Sequence, residues 1–206
     1  MDSRIKEDKT PTSLKEGKFF SLIGRLRYID RWSLMRNARR ENVAEHSFIT
    51  ALVAHALCTV QNELYGGNLN ADRAAVLALY HEAAEVFTGD MPTPVKYYSD
   101  EIRTAYKAIE REAEKKLVGF LPERLQGAYG GLVSPDKTSE EYKFVKYADK
   151  IAALIKCNEE LAAGNAEFAA AKESAEKSLR ALGEKAVDYF LDTFAADFGL
   201  SLDESL

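Results

Sequence analysis

The sequence has few of the features that mark a secreted, redox-active or membrane-bound protein. Its two cysteines, Cys58 and Cys157, lie inside apolar helical patterns and form no CxxC or other metal-type spacing. No window approaches the unbroken apolar run of about 20 residues that a membrane span requires. The sequence therefore predicts a cytoplasmic protein with reduced thiols and no membrane partner.

The sequence also lacks clusters of basic residues. The 28 lysines and arginines are dispersed among 33 aspartates and glutamates, which gives a net charge of −5. Because a phosphate backbone is held by clustered lysine and arginine, this pattern argues against binding of a nucleic-acid polymer. A small anionic substrate is still compatible with the charge, since one metal ion and one arginine can reverse the sign locally.

The N-terminal segment lacks the apolar centre that a secretory signal requires. Residues 1–17 are rich in Lys, Glu, Asp, Ser and Thr, and we expect them to form a flexible leader. Residues 18–206 are enough to bury a core and short for two domains. We therefore predict one domain behind a short leader.

Alternating β-branched and polar stretches, which would predict strands, are missing as well. Apolar spacing with a period of 3.6 dominates, so the sequence predicts an all-α fold. Prolines and glycines interrupt the pattern over about 88–94 and in a turn-rich stretch over 122–135. Helices are expected over about 18–29, 43–64, 71–87, 99–119 and 138–164, with one or two more at the C-terminal end.

Histidine is rare enough for each position to be weighed separately. His46 and His55 are nine residues apart, which at about 100° per residue places them on opposite faces of one helix. They cannot both serve one site. His46 has polar neighbours, Glu45 and Ser47, whereas His55 lies among apolar residues, so we expect a packing or surface role for His55.

The third histidine lies in the most apolar predicted helix. Eleven of the fourteen residues from 74 to 87 are apolar, so this helix should be buried on nearly every side. His81, Glu82 and Glu85 would project into one sector, since Glu82 is about 100° and Glu85 about 40° from His81. Buried carboxylates are costly unless they are paired or bound to a cation. The cluster indicates a metal, and the alternative is a solvated strip at the helix end.

Asp149 is another carboxylate on an apolar face, because its helical neighbours are Val145, Ala148, Ala152 and Ala153. A solvated surface aspartate is the usual alternative for such a residue. Together with the earlier candidates it completes a set of four ligands: His46, His81, Glu82 and Asp149. This mixed nitrogen and oxygen set suits Mn, Fe, Co, Mg or Zn, and ligand softness does not choose between these divalent cations.

The order of these four residues resembles the H…HD…D metal signature of HD-domain phosphohydrolases, with Glu82 in place of the usual aspartate. Further segments resemble the bacterial 5′-deoxynucleotidase (YfbR-like) family, and the likeness runs in order over about residues 18–204. They are DRWSLMRN from Asp30, ENVAEHS from Glu41, YHEAAE from Tyr80, GDMPTPVKY from Gly89 and CNEELAAGN from Cys157. The resemblance implies a single HD-domain helical bundle that hydrolyses deoxyribonucleoside 5′-monophosphates at a metal site between helices.

The resemblance also implies a role for each candidate residue. His46, His81, Glu82 and Asp149 would bind the metal, with His46, Glu82 and Asp149 also facing the substrate. Arg31 would orient the phosphate with its planar fork of donors, although a surface arginine is the plain alternative. The pocket would be lined by Asp90, Met91, Pro92 and Thr93, a segment that otherwise reads as a rigid loop.

The sugar and the proton transfers involve three further expectations. Trp32 would pack where a ribose 2′-hydroxyl would sit and so favour deoxyribose, although a core anchor is the commoner use of tryptophan. Glu85 is our candidate general base for the attacking water. Asp90 would assist the leaving 5′-oxygen or hold the sugar, and the sequence does not separate these two roles.

Two rival functions use the same residues. A triphosphohydrolase or cyclic-diester phosphodiesterase would need more basic residues than the nearby Arg36, Arg39, Arg40 and Lys96. A nucleotide-binding protein without turnover would result if Glu82 weakened the metal site. Family analogy further suggests a homodimer. The acidic, alanine-rich C-terminal helices could supply its interface, and closing the core is an equal alternative for them.

Overall fold

The computed structural model describes residues 17–206, and its regular structure there is helical apart from one isolated β-bridge between Asp30 and Asn42. The predicted all-α fold is confirmed. The predicted leader, except for Gly17, lies outside the described residues. The α-helices are α1 (Phe19–Ile23), α2 (Val43–Tyr65), α3 (Ala71–Tyr80), α4 (Glu85–Thr88), α5 (Thr93–Lys96), α6 (Asp100–Val118), α7 (Glu123–Val133), α8 (Glu140–Ala162), α9 (Ala169–Arg180), α10 (Lys185–Thr193) and α11 (Leu202–Ser205).

Local sequence signals set the ends of the long helices. The side chain of Asn42 accepts a hydrogen bond from the Glu45 N–H at the start of α2, which ends at Gly66 with φ 70°. Ser99 and Ser139 cap α6 and α8 through their side chains in the same way. These caps satisfy backbone N–H groups that the first turn of a helix leaves without partners.

Helices α2, α3 and α8 form the centre of the bundle and contact one another pairwise. Their core side chains include Leu57 of α2, Leu77 of α3, and Ile151 and Ile155 of α8, all of them fully buried. Burial of each such side chain stabilises the fold by roughly 1.5–3 kcal/mol. The candidate residues His46 and Asp149 lie on α2 and α8, and His81 directly follows the last residue of α3, so the core fixes their relative positions.

The region predicted as turn-rich over 122–135 instead contains a helix, α7. Pro122 occupies the N-cap position, and Pro135 lies beyond the last helical residue, so neither proline interrupts the helix. Tyr129 and Val133, one turn apart, pack against the cluster that contains Phe19 and Leu117. Tertiary packing therefore outweighs the low helix propensity of the three glycines in this segment.

The helix predicted over 71–87 is interrupted at the candidate site. α3 ends at Tyr80, residues 81–84 form turns, and α4 begins at Glu85. Through this stretch the N–H groups of Ala83 and Glu85 bond to carbonyls three residues back, at Tyr80 and Glu82, as in a 3₁₀-helix. The tighter winding changes the angles between His81, Glu82 and Glu85 from those of a regular α-helix.

Among the described residues, one helix, α2, is long and apolar enough by length and composition to cross a membrane, although no comparable apolar run was expected. Half of that window is buried inside the protein. Its buried residues face α3 and α8, which is the arrangement of a core helix.

Candidate metal centre and adjoining pocket

Four side chains from three elements converge at one end of the central bundle. They are His46 of α2, His81 and Glu82 of the turn after α3, and Asp149 of α8, and each offers a ligand atom within 4.8 Å of the others. His46 Nε2 lies 3.1 Å from Asp149 Oδ1, and His81 Nε2 lies 3.3 Å from Glu82 Oε1. The structure thus brings together all four residues that the sequence proposed as ligands.

Backbone geometry fixes the direction in which His81 presents its ring. Its Nδ1 lies 2.6 Å from the carbonyl oxygen of Ala78, which can only accept, so Nδ1 carries the proton and donates. The other ring nitrogen, Nε2, is aimed at Glu82 and Asp149. A histidine whose outer nitrogen bonds a carbonyl while the inner one faces carboxylates has the arrangement found in protein metal sites.

The cluster leaves one buried ring nitrogen that a cation would satisfy. His81 Nε2 has no hydrogen-bond partner among the described residues. Such an atom is uncommon in a folded protein, and a bound ion is one of the ordinary explanations for it. Two imidazoles and two carboxylates are also a normal donor set for a divalent cation. On both grounds the residues present fit a metal ion, whose identity the donor set leaves open.

Protonation favours metal binding at His46 and Asp149. Burial, aided by the charge of Arg31, lowers the pKa of His46 to about 4, so its imidazole is neutral at pH 7. Burial acts to raise the pKa of Asp149, but Lys146 and the two histidines hold it well below its usual value. A neutral imidazole and an ionised carboxylate are the forms that coordinate metals.

The other two ligands are linked to each other. Burial opposes the charged forms of both, yet Glu82 raises the pKa of His81, and His81 in turn lowers the pKa of Glu82. Each of the two residues therefore favours the charged form of the other. A cation would compete with a proton for His81 Nε2, because a histidine must lose a proton there to coordinate a metal.

Lys146 belongs to the cluster although the sequence reasoning did not identify it. Its Nζ donates to Asp149 Oδ2 at 2.5 Å, while Asp149 Oδ1 faces His46 and His81. The sequence contained a signal for this contact, because Lys146 and Asp149 are three residues apart on α8 and side chains at that spacing are neighbours on a helix. The ammonium leaves one carboxylate oxygen directed at the imidazoles.

Glu85 is the buried carboxylate behind the four ligands. It is 6% exposed, and burial together with the charges of Glu82 and Asp90 raises its pKa to about 10. Its oxygen Oε2 has no partner among the described residues. A buried acid with a strongly shifted pKa and an unpartnered oxygen is a common feature of functional sites.

A cavity of about 270 Å³ has none of the four clustered residues in its lining, but two of its lining residues, Arg31 and Asp90, lie near the cluster. In addition to burial, the charge of Arg31 lowers the pKa of His46, and the charge of Glu82 raises the pKa of Asp90. The cavity lining contains every residue that the sequence proposed for the substrate pocket outside the metal ligands: Arg31, Trp32, Asp90, Met91, Pro92 and Thr93. Ala153, one helical turn after Asp149, closes the wall on the side of α8. The cavity volume is close to the lower end, about 300 Å³, of ordinary small-ligand sites.

The cavity lining contains one basic and one acidic side chain, Arg31 and Asp90. Burial raises the pKa of Asp90, and the charge of Arg31 opposes that rise. The Trp32 ring packs tilted against Phe168, with ring centroids 5.3 Å apart.

His55, the remaining histidine, lies away from the cluster and the cavity. Its side chain is half exposed, and its Nε2 lies 3.5 Å from Asp72 Oδ1 on the surface, which agrees with the packing or surface role expected for it.

Glu41 is a second residue that the sequence reasoning did not single out. Its Oε2 accepts hydrogen bonds from Arg31 Nη1 and from Trp32 Nε1, both at 3.0 Å. No spacing rule gives this contact, because residues 29–42 form an irregular link whose two ends meet only through tertiary structure.

Comparison with known proteins relates the chain to phosphohydrolases. The 5′-deoxynucleotidase YfbR-like family model matches residues 18–198. The 5′-deoxynucleotidase YfbR of an Escherichia coli O1:K1 strain is 51% identical over 192 residues, which are 93% of this chain and 96% of the relative. An HD-domain phosphohydrolase of Listeria innocua, 26% identical, superposes with a TM-score of 0.76 over 88% of each chain. A conserved hypothetical protein of Pyrococcus furiosus, 20% identical, shares the fold with a TM-score of 0.65 over 88% of this chain and 97% of its own.

Proposed function

Because the chain belongs to the 5′-deoxynucleotidase YfbR-like family, we propose that it hydrolyses deoxyribonucleoside 5′-monophosphates to deoxynucleoside and inorganic phosphate. The observation that carries this proposal is the closeness of one cavity, lined by Arg31, Trp32 and Asp90, to the cluster of four candidate ligands. Arg31 interacts electrostatically with His46 of that cluster, and Asp90 with Glu82. Full-length similarity to relatives named 5′-deoxynucleotidase supports the same substrate class.

His46, His81, Glu82 and Asp149 would hold the divalent cation, which supplies Lewis acidity to phosphate hydrolysis. Arg31 binds the phosphate by its guanidinium N–H groups, since a planar fork of donors matches two phosphate oxygens. Lys146 keeps the Asp149 carboxylate oriented through the bond to its outer oxygen. The protein part of the site thus orients the phosphate while water attacks phosphorus and the bond to the 5′-oxygen breaks.

Two acids would move the protons of this reaction. Glu85 accepts a proton from the attacking water at its unpartnered Oε2, and a cation nearby favours the carboxylate that this requires by lowering its pKa. Asp90, whose pKa is raised by burial, donates a proton to the leaving 5′-oxygen or a hydrogen bond to the sugar. A raised pKa suits a carboxyl group that must be protonated near neutral pH.

Phosphate release tests the proposal and its rivals together. The metal-free protein is given Mn²⁺, Co²⁺, Mg²⁺ or Zn²⁺ in turn, and release is measured from deoxy- and ribonucleoside monophosphates, a deoxynucleoside triphosphate and a cyclic dinucleotide. We expect metal-dependent release from the deoxynucleoside monophosphates above all others. Preference for the triphosphate or the cyclic diester would replace the proposed substrate, and binding without release under every metal would make the protein a nucleotide-binding protein.

The sugar preference has its own test in Trp32→Ala. Removing the ring opens the side of the cavity that would meet a ribose 2′-hydroxyl, so the preference for deoxyribose should fall by about 10-fold or more, the range for loss of a steric contact in a pocket. The ratio of kcat/KM for dAMP and AMP measures it. An unchanged ratio would leave Trp32 as a packing partner of Phe168.

We further propose that the protein is a cytoplasmic homodimer with no nucleic-acid polymer or membrane as partner. Its two cysteines are free and buried, as is usual in a reducing compartment. An apolar groove of about 350 Å³, lined by Leu52, Ala56, Phe190 and Phe194, supports self-association of this face. Sedimentation of the wild type and Leu52→Glu tests the dimer, and a wild-type monomer at all concentrations would contradict it.

A further inference from the structure

We propose that Glu41 is a positioning residue that couples the phosphate contact of Arg31 to the sugar contact of Trp32. This inference rests on the proposed function, which assigns the phosphate to Arg31 and the sugar to Trp32. The link between the two side chains through Glu41 comes from the structure itself. One oxygen of one carboxylate, Oε2, accepts from both Arg31 Nη1 and Trp32 Nε1 at 3.0 Å. The two consecutive side chains therefore share a single anchor.

The anchor acts from outside the pocket. Glu41 is absent from the lining of the cavity that contains Arg31 and Trp32, and it is not one of the four clustered ligands. Among the described residues, the guanidinium of Arg31 makes no hydrogen bond except that from Nη1 to Glu41. Its other N–H groups remain available for an anion, while Nη1 fixes the plane of the fork.

The backbone around the anchor is closed by several bonds. The Arg31 N–H donates to the carbonyl of Glu41 at 2.9 Å, and the Val43 N–H donates to the carbonyl of Ile29 at 3.0 Å. These bonds tie the start of the link to its end, beside the first turn of α2 that carries His46. Glu41 thereby connects the substrate contacts to the element that supplies a metal ligand.

Trp32 also holds a backbone conformation that needs support. Its φ is 58°, and among the described residues it is the one residue other than glycine with positive φ. Such strain persists where the surrounding contacts over-determine it, and it concentrates at functional sites. The indole bond to Glu41, the Phe168 contact and the closed link supply that support.

Burial separates this contact from a surface ion pair. The side chains of Arg31 and Glu41 are 16% and 12% exposed, whereas those of Arg40 and Asp30, on the same link, are 83% and 51% exposed at an N–O distance of 3.2 Å. A charged hydrogen bond shielded from water holds geometry much better than a solvated pair does. Asp30→Asn is therefore a matched control that removes an acid from the same link without touching the anchor.

The experiment compares wild type, Glu41→Ala, Glu41→Gln and Asp30→Asn by kinetics with dAMP and AMP. In Glu41→Ala we expect KM for dAMP to rise about 10- to 100-fold, because a misplaced contact group can cost up to about 100-fold. The ratio of kcat/KM for dAMP to that for AMP should fall at the same time. Glu41→Gln keeps an acceptor oxygen and a similar shape, so it should show the same two changes to a smaller extent. Metal affinity of the substrate-free protein should stay within about threefold, since no ligand is touched.

A second readout does not depend on turnover. Trp32 is the only tryptophan, so the fluorescence of the metal-free, substrate-free protein reports on its indole alone. Release of the indole N–H from Glu41 should shift the emission and raise the acrylamide quenching constant in Glu41→Ala, with no change in Asp30→Asn. In a Trp32→Ala background, the effect of Glu41→Ala on the dAMP to AMP ratio should vanish, because Glu41 acts on that ratio through Trp32.

The outcomes separate this inference from the proposed function. If the wild type prefers dAMP and Glu41→Ala retains both its KM and its preference, or changes only one of them, Arg31 and Trp32 are not coupled through Glu41 and the inference fails. If the wild type releases no phosphate, while Glu41→Ala alters the emission and weakens the equilibrium binding of dAMP, the anchor stands and the proposed hydrolysis fails. Unaltered fluorescence in both Glu41 variants would overturn the inference regardless of activity.

Discussion

Two buried clusters on the same helix show how differently a protein can use a carboxylate. Asp149 and Glu160 are separated along α8 by roughly three turns and project on nearly the same side. Asp149 lies among His46, His81 and Glu82, and the His81 Nε2 that faces it has no hydrogen-bond partner among the described residues. Glu160 is 1% exposed, and both of its carboxylate oxygens accept hydrogen bonds.

The Glu160 carboxylate is surrounded by donors. It accepts from the backbone N–H groups of Ala38 and Arg39 at 2.7 and 3.1 Å, from Asn165 at 2.6 Å and from Lys156 at 2.5 Å. Lys156 donates in addition to the carbonyl oxygen of Arg39. These bonds attach the irregular link after α1 to α8, and that link carries Arg31 and Trp32.

The comparison teaches that hydrogen-bond completeness, and not burial or charge alone, distinguishes a functional cluster from a structural one. A buried ionic group with all its partners in place rigidifies the fold. A buried cluster whose nitrogen or oxygen atoms lack hydrogen-bond partners destabilises the fold unless a ligand binds to those atoms. Variants at the two clusters should therefore affect different properties.

The largest expected effect is that of Asp149→Asn on the metal cluster. It removes a charged ligand from beside His46 and His81, so metal affinity should fall by about 100-fold or more and turnover should be lost with it. Metal titration of the metal-free protein and phosphate release measure both. Asp72→Asn, which changes a nearly fully exposed aspartate, is the control. Normal metal stoichiometry in Asp149→Asn would remove Asp149 from the site.

Glu85→Ala should sharpen the comparison by separating catalysis from metal binding. Turnover should fall by about 10²–10⁴-fold, the usual share of a general base, while metal and substrate binding persist. Single-turnover phosphate release together with metal titration provides the measurement. If the metal is lost as well, Glu85 is a ligand, and the four-ligand interpretation of the cluster is wrong.

Glu160→Gln is the matching change at the structural cluster. Placing an amide NH₂ among four donors and leaving Lys156 without its buried partner should lower the free energy of unfolding by about 3–5 kcal/mol. Urea denaturation measures this loss, and the metal affinity of the folded protein should be unchanged. Glu173→Gln, at an exposed position of α9, should stay within about 0.5 kcal/mol of wild type. A loss of metal affinity without a loss of stability would reverse the roles that we assign.

The same variant should show a defined pH dependence. Burial tends to raise the pKa of Glu160, but the donors around it lower that pKa from 4.5 to about 2. Its stabilising contribution is therefore complete above about pH 4.5 and decreases as the pH falls towards 2. The difference in urea midpoint between wild type and Glu160→Gln should narrow between pH 6 and pH 3.5, and a difference that grows on acidification would contradict this.

The smallest expected effect concerns the position where the chain departs from the usual signature. Glu82→Asp shortens the side chain by one methylene but keeps the carboxylate, so turnover should fall by no more than about 10-fold. Glu82→Ala removes the carboxylate and should lose the metal. The preferred metal should shift in Glu82→Asp, because small hard cations require stricter angles than others do. Full metal content and turnover in Glu82→Ala would make Glu82 a bystander.

The sequence by itself determined the helical class, the four residues that cluster at the candidate metal site and, through family resemblance, most of the residues that line the cavity. Period-3.6 spacing identified the long helices, and polar residues on otherwise apolar faces pointed to His81, Glu82 and Asp149 because buried charges are costly. The roles of Arg31, Trp32 and the segment from Asp90 to Thr93 came from family resemblance. These features are legible in sequence since each depends on a residue and its neighbours along one helix or loop.

Only the tertiary structure decided the break after Tyr80, the helix α7 and the partners of the buried carboxylates. The turn at His81 and the packing of Tyr129 and Val133 follow from what surrounds them, and local propensity does not report on those surroundings. Glu41 and Glu160 read as ordinary acids in the sequence, yet each bonds groups distant along the chain or in an irregular link. Whether a carboxylate holds a loop or faces a metal depends on which donors the fold brings within hydrogen-bonding distance, and that is a property of three-dimensional packing.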